Sequence, residues 1–416
     1  MKSSACIAAA VFAACATAAS AQQQKVSPPI ATYWMSIDTA SGLPMGGMGG
    51  GGGMSAMDIG RMMMGGGAGS GANRSMRLEL GSQRTAGGAP AAAHEIPPGL
   101  NMGASLPLET PQQPRREPRE DGMPENFEKP RGRMLIYWGC GEKAGPGQPY
   151  IIDFAKMAQG EMPQGLLGRR VNVQRGPSPA RSRTYGDWPN QRDSTRVAGD
   201  GSLRGDHAIK GNYSPDIQFS LVEKYDFMEP VNLAMKKSGG GSMSMSWNSV
   251  ANAHGYFATA MGSSGNEDMV FWSSSNSREF GEQLLNWLPP SEVARLIREK
   301  VVMPASTTEC TVPAQFVAAA PSAFVRFIAY GEEANFVHPP RPQDPKVTWN
   351  PEWAVKVRLK STTSAMLSEE GMGGGGASRS RSSGADSSAP QESGQSAPAI
   401  DPVQEGLKAL KGLFGR

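Results

Sequence analysis

Short segments in which apolar and polar positions alternate recur along most of the chain. Residues 30–39 are rich in aromatic and β-branched side chains, and residues 75–81 place Met76, Leu78 and Leu80 on one face. A period of two is typical of β-strands that bury one face. Further segments of this kind predict strands at 133–139, 149–157, 169–175, 216–222, 230–236, 242–248, 255–261, 268–274, 313–320, 323–330 and 352–360. The pattern therefore predicts a mainly β protein.

A helical period replaces this alternation over a short insertion at 278–302. Its two predicted helices cover 278–288 and 292–302, and Ser291 is the expected N-cap of the second. One face of the second helix is apolar because hydrophobic residues recur every three to four positions. These residues are Val293, Leu296, Ile297 and Val301.

The last residues of the chain, 400–416, predict an amphipathic helix. Asp401 is the expected N-cap and Pro402 the first helical residue. Lys408 and Lys411 lie beside an apolar stripe, which consists of Val403, Leu407, Leu410 and Phe414. We expect this helix to dock on an envelope protein or on an anionic surface, with a groove on the protein itself as the alternative.

Glycine and proline are concentrated in a few segments, and this divides the chain. The 52 glycines and 33 prolines make up about a fifth of it. A glycine–methionine tract at 44–73 predicts a mobile insertion between two strands, because glycine-rich chain has a high entropy to lose on ordering. Residues 97–132 are proline-rich, and residues 366–399 predict a disordered Ser/Gly linker.

The predicted strands fall into two β-sandwich-like units, 22–175 and 214–365, and the sequence leaves open whether these are one domain or two. Between them, 176–213 is a basic polar loop or linker. It is either a solvated loop or a contact surface for an anionic envelope component. Nine basic residues lie in or next to it against four aspartates: Arg169, Arg170, Arg175, Arg181, Arg183, Arg192, Arg196, Arg204 and Lys210.

One stretch has a family resemblance. Residues 245–257, with Trp247 and Tyr256, resemble the passage between the second and third strands of fibronectin type III domains. The resemblance implies that Trp247 and Tyr256 pack side by side across two sheets, and that the late strands of the same sandwich are 324–330 and 353–360. It covers residues 214–362 loosely, and the helical insertion departs from the family. It implies a binding or structural module.

The N-terminus predicts export. Lys2 precedes an apolar run at 5–16, and Ala19-Ser20-Ala21 forms an A-x-A cleavage signal, so residues 1–21 are a predicted signal peptide of a periplasmic or secreted protein. A lipidation site at Cys15 is an alternative reading.

Two cysteines, Cys140 and Cys310, remain after cleavage. An oxidising compartment favours a disulfide between them, with two separate buried thiols as the alternative.

The sequence lacks the common linear motifs of catalytic and metal-binding sites. The four histidines have no metal-ligand spacing, and no G-x-S-x-G, P-loop or H-E-x-x-H motif occurs. The formal net charge of +3, which becomes +2 without Lys2, argues against nucleic-acid binding. No cofactor is expected. Thioethers suit Cu(I), and a cluster in the flexible tract gives one metal hypothesis. Its members are Met45, Met48, Met54, Met57, Met62, Met63 and Met64.

Three functional hypotheses follow from these patterns. The first is an exported, non-enzymatic envelope binding or assembly module, whose membrane contact is at most peripheral. The second is a periplasmic Cu(I)-handling protein that uses the methionine-rich tract. The third is a hydrolase without a linear motif.

Overall fold

The computed structural model of the chain describes residues 24–43, 72–112, 132–159, 169–265, 268–279 and 283–367. This part is mainly β, with seventeen strands and three short α-helices. The predicted signal peptide, the seven methionines, most of the tract 44–73, nearly all of the linker 366–399 and the terminal helix lie outside the described residues.

The first nine strands are β1 Ala31–Gly42, β2 Asn73–Ser82, β3 Ala92–Glu95, β4 Ser105–Leu108, β5 Arg133–Trp138, β6 Tyr150–Asp153, β7 Thr184–Trp188, β8 Gly205–Gly211 and β9 Ile217–Leu221. The other eight are β10 Ala234–Lys237, β11 Met243–Ser246, β12 Gly255–Ser263, β13 Met269–Ser273, β14 Met303–Pro304, β15 Glu309–Val312, β16 Phe324–His338 and β17 Trp353–Met366. The helices are α1 Phe154–Ala158, α2 Pro290–Arg298 and α3 Ala314–Ala319.

These strands form three sheets. The largest has ten strands in the order β6-β5-β13-β12-β16-β17-β1-β2-β7, with β14 paired to β12. The others are β10-β11-β15 and β4-β3-β8-β9. Most neighbours are antiparallel, but β1 pairs with β17 in parallel, and β13 with β5. Since β1 and β2 come from the predicted first unit and β16 and β17 from the second, one sheet joins both units.

The core lies between the inner face of the ten-stranded sheet and the two smaller sheets. Alternate residues of β1 point into it, so Tyr33 and Met35 are fully buried. They share one hydrophobic cluster with Ile209 of the four-stranded sheet and Met245 of the three-stranded sheet. This layered packing is consistent with a β-sandwich-like class.

Trp247 and Tyr256 are in contact, as the resemblance implies. Their ring centroids are 5.6 Å apart in an edge-to-face arrangement. Trp247 directly follows β11, and Tyr256 lies in β12, so the contact spans two sheets. Membership of the fibronectin type III family stays a prediction.

The predicted strand at 313–320 is wrong, because this segment forms α3. Pro313 occupies the N-cap position with an extended backbone, and alanines favour the helix that follows. Phe316 and Val317 are buried from this helix. A short apolar run does not by itself distinguish a buried helix from a strand.

The strand predicted at 230–236 begins only at Ala234, as β10. Two further strand predictions fail wholly or in part. Residues 169–175 form no strand, and the backbone N–H of Asn172 donates instead to the Glu292 carboxylate at 2.9 Å. The strand predicted at 149–157 ends at Asp153, whose side chain caps α1 by accepting from the N–H groups of Ala155 and Lys156. In each case a carboxylate satisfies backbone donors that a strand would pair.

Two segments that were predicted to be irregular contain strands. β4 lies within 97–132, and β7 and β8 lie within the supposed loop 176–213. In β8 a histidine and an isoleucine, His207 and Ile209, are the inward residues, so apolar alternation alone did not reveal it.

The helical insertion is shorter than predicted. Helix α2 begins at Pro290 with Pro289 at the N-cap and without a side-chain cap, so the expectation for Ser291 is wrong. The described part of 278–288 contains one 3₁₀ turn, Gln283–Leu285.

Candidate functional site

Polar and aromatic side chains cover the outer face of the ten-stranded sheet over five neighbouring strands, β7, β2, β1, β17 and the end of β16, in rows set by the strand register. Over β12 and the start of β16 the same face is apolar, and Phe257 and Ile328 pack there against helix α2. One row crosses five strands, with neighbours directly opposite each other. In order it contains Asp187, Glu79, Trp34, Lys356 and Asn335. Because side chains alternate between faces, the inner face of the same strands stays apolar.

The next row places Arg77, Ser36, Arg358 and Glu333 opposite one another. The Arg358 Nε donates to Ser36 Oγ at 2.7 Å. Its guanidinium carbon lies 4.6 Å from the ring centroid of Trp34 and 4.9 Å from that of Trp287. Such cation–π contacts stabilise a cation that has lost water. Burial nevertheless lowers the pKa of Arg358 to about 10.

Arg358 has no carboxylate partner within 4 Å among the described residues, whereas its cationic neighbours do. Arg77 pairs with Glu79 at 2.9 Å, and Lys356 pairs with Glu333. Buried charges are normally matched by an opposite charge. Arg358 is therefore the cation of this face that has no direct carboxylate contact.

Lys360 and Asp38 form a third pair on the face, at 3.5 Å. Burial raises the pKa of Asp38 and lowers that of Lys360, while their mutual attraction opposes both shifts. The Lys360 Nζ also lies 3.9 Å from the Trp287 ring centroid. Trp287 itself donates to the Ile37 carbonyl at 3.0 Å, which fixes the indole over the sheet.

Lys356, Asn335 and Glu333 contact one another where β16 meets β17. The Lys356 Nζ lies 2.7 Å from Asn335 Oδ1 and also contacts Glu333 Oε1. The same Glu333 oxygen accepts from Asn335 Nδ2 at 2.9 Å. An amine, an amide and a carboxylate are thus brought together at one point.

A pair of buried carboxylates lies on the neighbouring strands. The Tyr185 hydroxyl is 3.2 Å from Glu79 Oε1 and 3.4 Å from Asp187 Oδ2, and burial raises the pKa of Tyr185. Arg77 faces both acids. This arrangement is more typical of a structural network.

A buried relay of hydrogen bonds links the ten-stranded and four-stranded sheets. The Tyr33 hydroxyl is 2.9 Å from His94 Nδ1, His94 Nε2 is 2.9 Å from His207 Nδ1, and His207 Nε2 is 2.7 Å from the Leu203 carbonyl. A carbonyl only accepts, so His207 must donate to it, and His94 and Tyr33 then donate in turn. Burial lowers the pKa of both histidines. The relay is complete only with both rings neutral.

Cys140 and Cys310 are joined by a disulfide, with Cα atoms 5.1 Å apart. This is the expected pairing. Cys140 follows β5 of the ten-stranded sheet, and Cys310 lies in β15 of the three-stranded sheet. The Met303 sulfur is 3.9 Å from that of Cys140. The bond therefore links two of the three sheets.

Four of the nine basic residues predicted as a contact surface are neutralised within the protein, in the pairs Arg169–Glu279, Arg192–Glu109, Arg204–Asp226 and Lys210–Glu95. Arg181 and Arg183 are exposed and form no ion pair with a described carboxylate. The exposed Arg84 joins them, because its carbonyl accepts from Thr184 Oγ1 and the Arg183 N–H donates to Ser82. We name Arg84, Arg181 and Arg183 the arginine cluster.

The metal hypothesis gains no site from the described residues. Met243 and Met245, a second M-x-M in the chain, are 2% and 0% exposed, so both are core residues. Within the same part of the chain, no group of three histidine, cysteine or acidic side chains has a geometry that would hold an ion.

Sequence reasoning missed the polar face, although its signal is present. Positions 356, 358 and 360 are all basic and alternate with buried apolar residues of β17. Alternation therefore identifies a charged face as well as an apolar one. The pairing of these cations depends on strand neighbours that are distant in sequence, and so could not be deduced.

Comparison with protein-family models, with curated proteins and with solved structures finds no match to this chain. None of the helices in the described ranges is long and apolar enough to cross a membrane.

Proposed function

We propose that the protein is an exported, non-enzymatic binding module that docks peripherally on anionic lipid headgroups through its arginine cluster. The observation that carries the proposal is the exposure of Arg84, Arg181 and Arg183 at one end of β2 and β7 without a described carboxylate partner. Basic residues near a charged membrane surface each contribute about 1 kcal/mol, and salt screens the attraction. Three such residues give a weak, salt-sensitive association.

Export is part of the proposal. It is supported by the predicted signal peptide at 1–21 and is compatible with the Cys140–Cys310 disulfide. The predicted terminal helix, 400–416, supplies a second cationic and apolar element, and peripheral proteins commonly need two such signals for stable binding.

Vesicle sedimentation tests the docking surface. We expect the mature protein to bind vesicles that contain anionic lipid, and binding to fall as salt rises. The variant Arg181→Gln/Arg183→Gln should bind about thirtyfold more weakly, since two interactions of about 1 kcal/mol are lost. The matched control is Arg192→Gln/Lys210→Gln, which removes the same charge from cations that already have carboxylate partners.

Equal losses in both variants would show that net charge matters and the cluster does not. Equal binding to zwitterionic vesicles would reject an electrostatic mechanism. Deleting 400–416 in each background separates the contribution of the helix from that of the cluster.

The Cu(I) hypothesis for the seven methionines stays a prediction on residues outside the described part of the chain. The hydrolase hypothesis has one supporting observation, the carboxylates Glu79 and Asp187 on either side of Tyr185. Their shared contact with Arg77 favours the binding module over that alternative.

A further inference from the structure

Cross-strand neighbours Asn335 and Lys356 have the arrangement needed for a covalent side-chain bond. They are directly opposite each other in the β16–β17 pair, where Cβ atoms are about 5 Å apart. The Lys356 Nζ is 2.7 Å from Asn335 Oδ1. Because a C=O bond is about 1.2 Å long, the Asn335 amide carbon is within about 4 Å of the amine. That approaches the separation of about 3–3.5 Å at which bound groups react.

Glu333 is positioned to transfer protons for such a reaction. One carboxylate oxygen contacts both the attacking nitrogen, Lys356 Nζ, and the nitrogen that would leave, Asn335 Nδ2. A carboxylate within hydrogen-bond reach of both groups can accept a proton from the first and return one to the second.

The amine and the carboxylate are largely shielded from water. The Lys356 and Glu333 side chains are only 15% and 10% exposed, and Trp34 lies beside the amine, 5.7 Å from its ring centroid. Asn335 is exposed at the residue level, which leaves its amide nitrogen an exit to solvent.

Arg358, which contacts no described carboxylate, favours the product. Before reaction, Lys356 and Arg358 face one carboxylate, Glu333, which is directly opposite Arg358 in the register. Amide formation removes the Lys356 charge. Glu333 is then free to neutralise Arg358, the buried cation that otherwise has no described carboxylate partner.

We propose that Lys356 and Asn335 become joined by an intramolecular isopeptide bond, with Glu333 as the proton-transfer residue. The Lys356 Nζ attacks the Asn335 amide carbon, an N–C bond forms, and the bond from that carbon to Nδ2 breaks. The new amide keeps one of the three Lys356 ammonium protons. The ammonium ion that leaves carries the other two together with both Asn335 amide protons. No atom is oxidised or reduced.

Peptide mapping of the purified mature protein tests the bond directly. We expect one joined peptide that contains Asn335 and Lys356, lighter by one ammonia than the sum of its parts and uncleaved by trypsin after Lys356. Intact mass alone is insufficient, because an N-terminal Gln22 that cyclises also loses ammonia. Separate peptides with a free Lys356 amine in the parent protein would overturn the proposal.

Three variants test the roles of the side chains. Lys356→Arg should remove the joined peptide, since a guanidinium is a poor nucleophile at neutral pH. Glu333→Gln should slow joining by about two orders of magnitude, the usual effect of losing a general base. Joining at an unchanged rate in Glu333→Gln would reject Glu333 as the proton-transfer residue. Lys360→Arg is the matched control, because it changes a neighbouring buried lysine and should leave the joined peptide intact.

Discussion

At the scale of single residues, buried polar groups in this protein form hydrogen bonds with one another, and each group has a fixed role as donor or acceptor. The relay from Tyr33 through His94 and His207 to the Leu203 carbonyl uses every ring nitrogen once. A proton added to His207 would place its Nδ1–H against the Nε2–H of His94. A proton added to His94 would place its Nδ1–H against the hydroxyl of Tyr33. The ring of His207 is also stacked on Phe219, with centroids 5.0 Å apart, so neither ring can turn away easily.

Because of this relay, we expect the folded state to lose stability on acidification at pH values above those at which most carboxylates titrate. Since burial lowers the pKa of His94 and His207, the unfolded chain binds more protons than the folded one below pH about 6.5. The stabilisation is complete above that pH and falls by up to about 1.4 kcal/mol per pH unit for each histidine. Urea unfolding from pH 7.5 to 5 measures it.

His94→Gln/His207→Gln should flatten that pH dependence, and the exposed His338→Gln should keep it. An unchanged slope in the double variant would assign the acid sensitivity to other groups.

At the scale of elements, helix α2 holds the irregular segment 169–172 on the molecule. Both Glu292 oxygens accept from Asn172, one from its backbone N–H and one from its side chain. Arg295 joins Glu292 to Glu299, and Arg169 contacts Glu299 as well. Side chains of a helix thus accept hydrogen bonds that the backbone of a neighbouring strand would otherwise accept.

Glu292→Gln should loosen this segment. Hydrogen bonds from Arg295, chiefly, lower the pKa of Glu292 to about 2, so its stabilisation is present above pH about 4.5 and is lost as pH falls towards 2. At pH 7 we expect a loss of about 1–3 kcal/mol in the free energy of unfolding and faster tryptic cleavage after Arg170 and Arg175. Glu299→Gln, with a side chain 30% exposed, should have a smaller effect.

The elements also show what the sequence can predict. Strands with one apolar face, such as β2 and β9, were predicted to within two residues of their ends, because burial of that face decides their structure. β17 was predicted from its first residue, but it extends six residues beyond its predicted end. α3 was missed because its apolar run has no period long enough to identify, and β8 because its inward residues include a histidine. The polar face depends on register between β1, β2, β16 and β17, which no local pattern encodes.

At the scale of the whole molecule, the described ends of the chain meet in the middle of the largest sheet. β1, near the N-terminus, pairs in parallel with β17, near the C-terminus, over twelve residues from Ala31 to Gly42. A central pair of strands so distant in sequence cannot form until most of the chain is in place. We therefore expect the two predicted sandwich units to unfold together, because each lacks the strands that complete its part of the sheet.

The Cys140–Cys310 bond acts at the same scale. It closes a loop of 170 residues between the ten-stranded and three-stranded sheets. In the chain-entropy description, closing such a loop stabilises the folded state by about 5 kcal/mol, because the bond reduces the conformational entropy of the unfolded chain.

Cys140→Ala/Cys310→Ala should therefore shift the urea midpoint of unfolding well below that of the oxidised parent. The slope of the transition should change mainly because the unfolded state changes. The reduced and alkylated parent is the control for the substitutions themselves and should behave like the variant. Equal midpoints for oxidised parent and variant would show that the layers are held by packing of their shared core alone.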